Sequence, residues 1–185
     1  MAKTVGVGIT GGIAAYKIAD LVSKLMKTDL EVVVMMTEGA TKFITPLTFR
    51  TLTGREVITD LWSEPREYKV KHIGVAEQLD ILVIAPATAN FIAKMAHGIA
   101  DDFLSTLVAA NTAPVLVIPS MNTNMYENPI VKKNLAILAD CGYHIMDPAS
   151  GLLAFGSVGK GRLPEIDDIY EEIITLLDSS EDQAP

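Results

Sequence analysis

Val5-Gly6-Val7-Gly8-Ile9-Thr10-Gly11-Gly12-Ile13-Ala14-Ala15-Tyr16-Lys17 is a short apolar run that breaks on a glycine pair and passes straight into helical apolar spacing. A strand, a glycine turn and a helix in that order open a βα unit. Three further runs of the same kind stand at 31–36, 81–85 and 115–119. None alternates strictly with polar residues, which predicts strands covered on both faces and therefore parallel. Apolar residues three and four apart at 13–26, 89–96, 103–110 and 129–139 predict the helices that make the crossovers. The expectation is an α/β fold: a single doubly wound, mostly parallel sheet with helices on both faces. Such sheets bind ligands beyond the carboxyl ends of their strands, so function is sought in the segments after each strand.

The chain has 185 residues, of which 49% are apolar and 21% charged, enough to bury a core without disulfides. Its one cysteine, Cys141, makes no internal disulfide and reads as a small core residue in a reducing compartment. No apolar stretch is long enough to cross a bilayer and the first residues lack a signal-peptide core, so the expected location is cytoplasmic, away from membranes. The net charge of −8 is local: eight acids and no base fall in 164–185, leaving 15 acids and 15 bases before them. A balanced body has no basic face for nucleic acid. Residues 165–177 keep helical spacing with acids at the helix start, where they suit the dipole. The division expected is a domain over 1–178 and a frayed acidic tail over 179–185, with an interaction tail as the other reading of those acids.

After the first run, Gly11, Gly12 and Ile13 expose backbone amides at a helix start, suited to a phosphate or a planar ring, or simply to a tight connection. The pattern is not GxGxxG, and the second run closes on Thr37 rather than on an acid that would grip a dinucleotide ribose. After the third run, Pro86-Ala87-Thr88-Ala89-Asn90 offers small residues and a helix cap at Thr88. After the fourth, Pro119-Ser120-Met121-Asn122 presents an amide that fits either a carboxylate or an Asx turn. His97 and His144 read as structural. His72, just ahead of the third run, is a candidate general base. There is no HExxH, CxxC, GxSxG or Walker lysine, and no metal ligand set. From Gly151 to Glu165, closely spaced glycines with Lys160 and Arg162 read as a mobile loop able to cover an anion.

Taken in order, these segments resemble the homo-oligomeric flavin-containing cysteine decarboxylases, a Rossmann-like flavoprotein family, from about residue 5 to residue 165. Gly11-Gly12-Ile13-Ala14-Ala15-Tyr16-Lys17 is similar to the first flavin loop, Thr37 and Phe43 to the flavin phosphate contact, and Thr88, Ala89 and Asn90 to part of the PASAN flavin motif. Ser120, Met121 and Asn122, with Met125, resemble the PxMNxxM motif, whose asparagine holds the substrate carboxylate. His72 falls at the active-site histidine, and Ala154-Phe155 through Lys160 and Arg162 at the substrate clamp. The resemblance implies FMN as cofactor and a homotrimer or dodecamer of trimers with active sites at subunit contacts. Its nearest members act on 4′-phosphopantothenoyl-cysteine in coenzyme A biosynthesis.

That activity would start with oxidation of the thiol carbon to a thioaldehyde, which gives CO2 loss an electron sink, and would end with reduction of the enethiol. His72 would assist the deprotonation and Asn122 would orient the carboxylate. Phe155 departs from the pattern, because pantetheine-forming members carry a proton-donating cysteine there. The resemblance therefore leaves open a peptidyl-cysteine decarboxylase that releases an enethiol, or a flavin-binding regulatory subunit.

Overall fold

The computed structural model describes residues 2–62, 71–152 and 158–179. β1 (Thr4–Ile9) leads through a 3-10 turn (Ile13–Lys17) into α1 (Ile18–Leu25), and then come β2 (Glu31–Met36), α2 (Glu38–Thr41), α3 (Pro46–Thr53) and α4 (Lys71–Ala76). β3 (Ile81–Ala87), α5 (Ala89–Ala96), α6 (Phe103–Ala110), β4 (Val115–Pro119), α7 (Thr123–Tyr126) and α8 (Pro129–Asp140) follow. The described chain closes with β5 (His144–Ile145), β6 (Ala149–Leu152), β7 (Val158–Arg162) and α9 (Ile166–Ser179).

Five strands form one sheet in the order β2-β1-β3-β4-β5, every pair parallel. The order reverses between β1 and β3, so a crevice opens beyond their carboxyl ends. This is the doubly wound α/β fold expected from the alternating runs, and four strands lie within two residues of their expected places.

β1 shows how sequence becomes packing. Its Val5, Val7 and Ile9 face one core, shared with α1 and with Ile169, Ile173, Leu176 and Leu177 of α9. The opposite face carries Gly6 and Gly8, and a Cβ on Gly8 would lie only 2.6 Å from Leu104 Cδ1 of α6. Leu104 thus takes the room that side chains on β1 would fill, beside Leu82 and Ile84 in the second core. α9 is tied down at both ends: Lys24 pairs with Asp167 at 2.6 Å and Lys3 donates to the Leu177 carbonyl at 2.9 Å. The acids from Asp167 to Asp178 therefore sit on a packed helix, with Glu165 just ahead of it; the helix runs through Ser179, one residue into the expected tail, and 180–185 lie outside the described residues.

Two expectations change. Cys141 is exposed rather than buried, because the apolar stripe of α8 ends at Leu138 and the chain turns away at Gly142 with φ +88°. The stretch expected as a mobile loop contains an antiparallel pair, β6 with β7, because β7 finds a main-chain partner and a packing surface in the segment after β4. Among the described residues no helix is long and apolar enough to cross a membrane.

Candidate functional site

Two cavities open beyond the carboxyl ends of β1, β3 and β4, and share Gly11, Thr88, Ala89 and Met125. The first, about 390 Å³, is walled by the glycine turn, by Tyr16 and Lys17, by Ser120, Met121 and Asn122, and by Gly161 to Leu163. The second, about 550 Å³, lies among Thr10, Thr37, Glu38, Gly39, Asn90, Lys94, Asp101 and Asp102.

Two threonine caps build the second cavity. Thr37 caps α2 by accepting from Ala40 N, and Thr88 caps α5 by accepting from Phe91 N, each at 3.3 Å. A cap that takes the third amide of a helix leaves the first two as orphan donors. Those are Glu38 and Gly39 on one side and Ala89 and Asn90 on the other, at the wall of one cavity. Thr10 joins the two strand ends: its hydroxyl donates to Pro86 O at 2.5 Å and accepts from Thr88 N at 3.0 Å. The approach is close enough that a Cβ on Gly11 would come within 2.9 Å of the Gly39 carbonyl carbon.

Lys94 supplies a cation at this edge, paired with Asp101 at 2.6 Å and Asp102 at 3.0 Å. Burial works against its charge, but the hydrogen bonds and fields of the two carboxylates outweigh that and hold its pKa above the usual lysine value. The bond to Lys94 in turn holds Asp101 below the usual carboxylate range.

Asn122 opens α7 as its N-cap, and its Oδ1 accepts from Asn124 N at 2.8 Å. The Asx bond fixes the amide's orientation and turns its Nδ2 donor end to other work, which suits a carboxylate. Asn122 thus makes an Asx turn and also stands on the wall of the first cavity.

Gly11, Gly12, Ile13, Thr88, Ala89, Ser120, Met121, Asn122 and Arg162 converge on the first cavity, and Thr37 and Asn90 on the second. Phe43, His72 and Lys160 line neither. Phe43 is 48% exposed. His72 stands in the first turn of α4, flanked by the exposed Ile73. Lys160, expected as an anion contact, instead spends its charge on Asp147 at 2.8 Å. Arg162 bonds Glu165 while remaining on the cavity wall. Ala154 and Phe155 lie outside the described residues. His97 and His144 are both exposed. Sequence reading passed over Thr10 and Lys94, and placed Lys17 only within the glycine-loop stretch; Thr10 carried a signal, as a hydroxyl at a strand end immediately before the glycine pair. Among the described residues no group of three or more His, Cys, Asp or Glu could hold a metal.

A parallel 2-1-3-4-5 sheet with an amide cradle at its switch point defines a mononucleotide-binding α/β protein of the flavodoxin-like strand order. The chain belongs to the Flavoprotein family, whose model matches residues 1–178. It is 48% identical over 163 residues to the coenzyme A biosynthesis bifunctional protein CoaBC of Bacillus subtilis, covering 88% of this chain and 40% of that protein. It therefore spans less than half the length of such bifunctional relatives. It is 41% identical over 175 residues to a probable phosphopantothenoylcysteine decarboxylase of Streptococcus mutans, covering 94% of this chain and 98% of that one. A solved PPC decarboxylase mutant complexed with pantothenoylaminoethenethiol superposes with a TM-score of 0.86 at 29% identity, covering 96% of this chain and all of that one.

Proposed function

We propose that the chain is an FMN-dependent cysteine decarboxylase that converts 4′-phosphopantothenoyl-L-cysteine to 4′-phosphopantetheine in the cytoplasm. The observation that carries this reading is the Asn122 amide, oriented by its Asx bond on the wall of a cavity that shares lining residues with an amide cradle. A flavin mononucleotide fits these residues: the Glu38, Gly39, Ala89 and Asn90 amides suit its phosphate. Gly12 presents bare backbone to the first cavity, which suits the close approach of a flat ring. When bound, the flavin supplies the two-electron oxidation that gives CO2 loss an electron sink, and the return of those electrons.

The protein's own part is placement and proton transfer. Asn122 Nδ2 donates to the carboxylate and holds the bond to be broken in one orientation. Lys17 and Arg162 on the same wall offer cations to the anionic substrate. His72 takes the proton as general base. Because His72 lines neither cavity of its own chain, this reading has it serve the site of a neighbouring copy in a homotrimer, or a dodecamer of trimers. The apolar rim supports such an assembly, with Ile13 58%, Tyr16 56% and Met125 47% exposed beside the cavity, and Trp62 84% exposed ahead of His72.

Phe155 favours a second reading, a cysteine decarboxylase that stops at the enethiol, because a phenyl ring donates no proton. Mass spectrometry after anaerobic mixing of stoichiometric flavin-loaded protein with 4′-phosphopantothenoyl-cysteine separates the two. Loss of CO2 alone is expected. Loss of CO2 and two hydrogens with a bleached flavin would favour the enethiol reading, and no reaction would remove this substrate.

A further inference from the structure

Lys160 is held by a small network that reaches the Asn122 turn from behind. Asp147 accepts from Lys160 Nζ through Oδ2 at 2.8 Å and from the Tyr126 hydroxyl through Oδ1 at 3.0 Å. The buried Tyr126 ring has Lys132 Nζ at 3.8 Å and Lys160 Nζ at 5.5 Å from its centroid. Tyr126 closes the one-turn helix that Asn122 opens, donating its amide to Asn122 O at 2.9 Å. Lys160 lies on β7 next to Gly161, whose carbonyl accepts from Met121 N at 2.9 Å. The network therefore joins the two elements whose junction forms the Asn122 wall of the cavity.

The junction is otherwise steric. A Cβ on Gly159 would overlap the Thr123 hydroxyl, and one on Gly161 would overlap the Met121 carbonyl. Thr123 Oγ1 is buried and has no hydrogen-bond partner among the described residues, so that edge is seated by shape and not by a polar contact. Among the described residues, β7 is tied to the turn by the Met121–Gly161 bond and the Lys160–Asp147–Tyr126 bridge.

We infer that Tyr126, Asp147 and Lys160 form a latch that seats β7 on the Asn122 turn, making all three positioning residues for the Asn122 amide and making Lys160 no substrate contact. The inference rests on the carboxylate-binding role proposed above for Asn122. A bridge between partly exposed groups acts as a modest restraint, so effects of about two- to fivefold are expected.

The test uses flavin-loaded protein with Lys160→Met, Asp147→Asn, both together, and Lys160→Arg. Hydrogen exchange at the Met121 amide reads the seating directly and does not depend on any substrate. Each single change should speed exchange by about two- to fivefold, and the double change by no more than either, as one shared bond requires. KM should rise by the same factor for 4′-phosphopantothenoyl-cysteine and for its dephosphorylated form, and Lys160→Arg should restore it. Unchanged exchange in Asp147→Asn would overturn the latch, as would a KM defect confined to the phosphorylated substrate. If the wild-type protein turns over neither substrate, the decarboxylase reading fails and the exchange result alone decides the latch.

Discussion

At the scale of single residues, Asn122 carries the sharpest expectation. Its Oδ1 is committed to Asn124 N, so Asn122→Asp keeps the Asx turn while replacing the Nδ2 donor with a second oxygen. A substrate carboxylate would then meet a negative charge in place of a donor. Turnover should fall by about 10²-fold or more while the flavin absorbance of the purified protein is unchanged, since the amide cradle is built elsewhere. Retained turnover would remove Asn122 from carboxylate binding. Phe155 stands where the family resemblance places a proton donor for the second half of the reaction. Phe155→Cys would raise the share of saturated thiol over enethiol in the product mixture, whereas an unchanged ratio would mean that the proton arrives from another source.

At the scale of elements, the site is made by helix starts and strand ends, and those local devices can be tested singly. Thr88→Ala removes the oxygen that accepts from Phe91 N at the head of α5 and the partner of Thr10. Loss of a cap of this kind costs about 1 kcal/mol, and a Tm drop of about 2–4 °C with faster flavin loss on dilution should follow. The latch between β7 and α7 has a pH window of its own. Its bond to Lys160 holds Asp147 below the usual carboxylate range, and the same bond holds Lys160 above the usual lysine range. A depressed acid contributes fully above its unfolded value and loses that contribution as pH falls through the folded one; a raised base does the reverse at the alkaline end. The Tm difference between wild type and Asp147→Asn should therefore be constant from about pH 5 to 9 and fade in stronger acid or base. These elements also show where sequence is informative. The runs of β1 to β4 and the cap at Thr88 rest on local pattern and could be seen directly, whereas Thr37 was read for its hydroxyl at a strand end and its cap on α2 was not. The 3-10 turn Ile13–Lys17 replaced the first turns of the expected helix because Ala15 N bonds Gly12 O three residues back. α3 was overlooked although Pro46 at its first turn and Gly54 at its end mark it. The seating of β7 and the pairing of Lys160 with Asp147 could not be read, because β7 is held by a main-chain bond from Met121 and Asp147 by the Tyr126 hydroxyl, both distant in sequence.

At the scale of the whole molecule, the proposed role of His72 requires it to reach the site of another copy. Within one chain it lies outside both cavity walls, while the residues beside the cavity mouth and beside His72 are apolar and exposed. Exposed apolar surface around an incomplete site is what a closed symmetric assembly would cover, and a cyclic trimer lets each copy lend one edge to the next. Sedimentation should then give about 60 kDa, three times the 19.9 kDa chain. His72→Asn alone should abolish decarboxylation while keeping flavin, and Asn122→Asp alone should do nearly the same. Unfolding the two variants together and refolding them as a mixture would pair an intact Asn122 wall from one copy with an intact His72 from another in a share of the sites. Activity well above either parent is expected from the mixture. Activity no higher than the parents' average, in a mixture shown to contain hybrid trimers, would mean that His72 and Asn122 serve the same chain or that His72 takes no part.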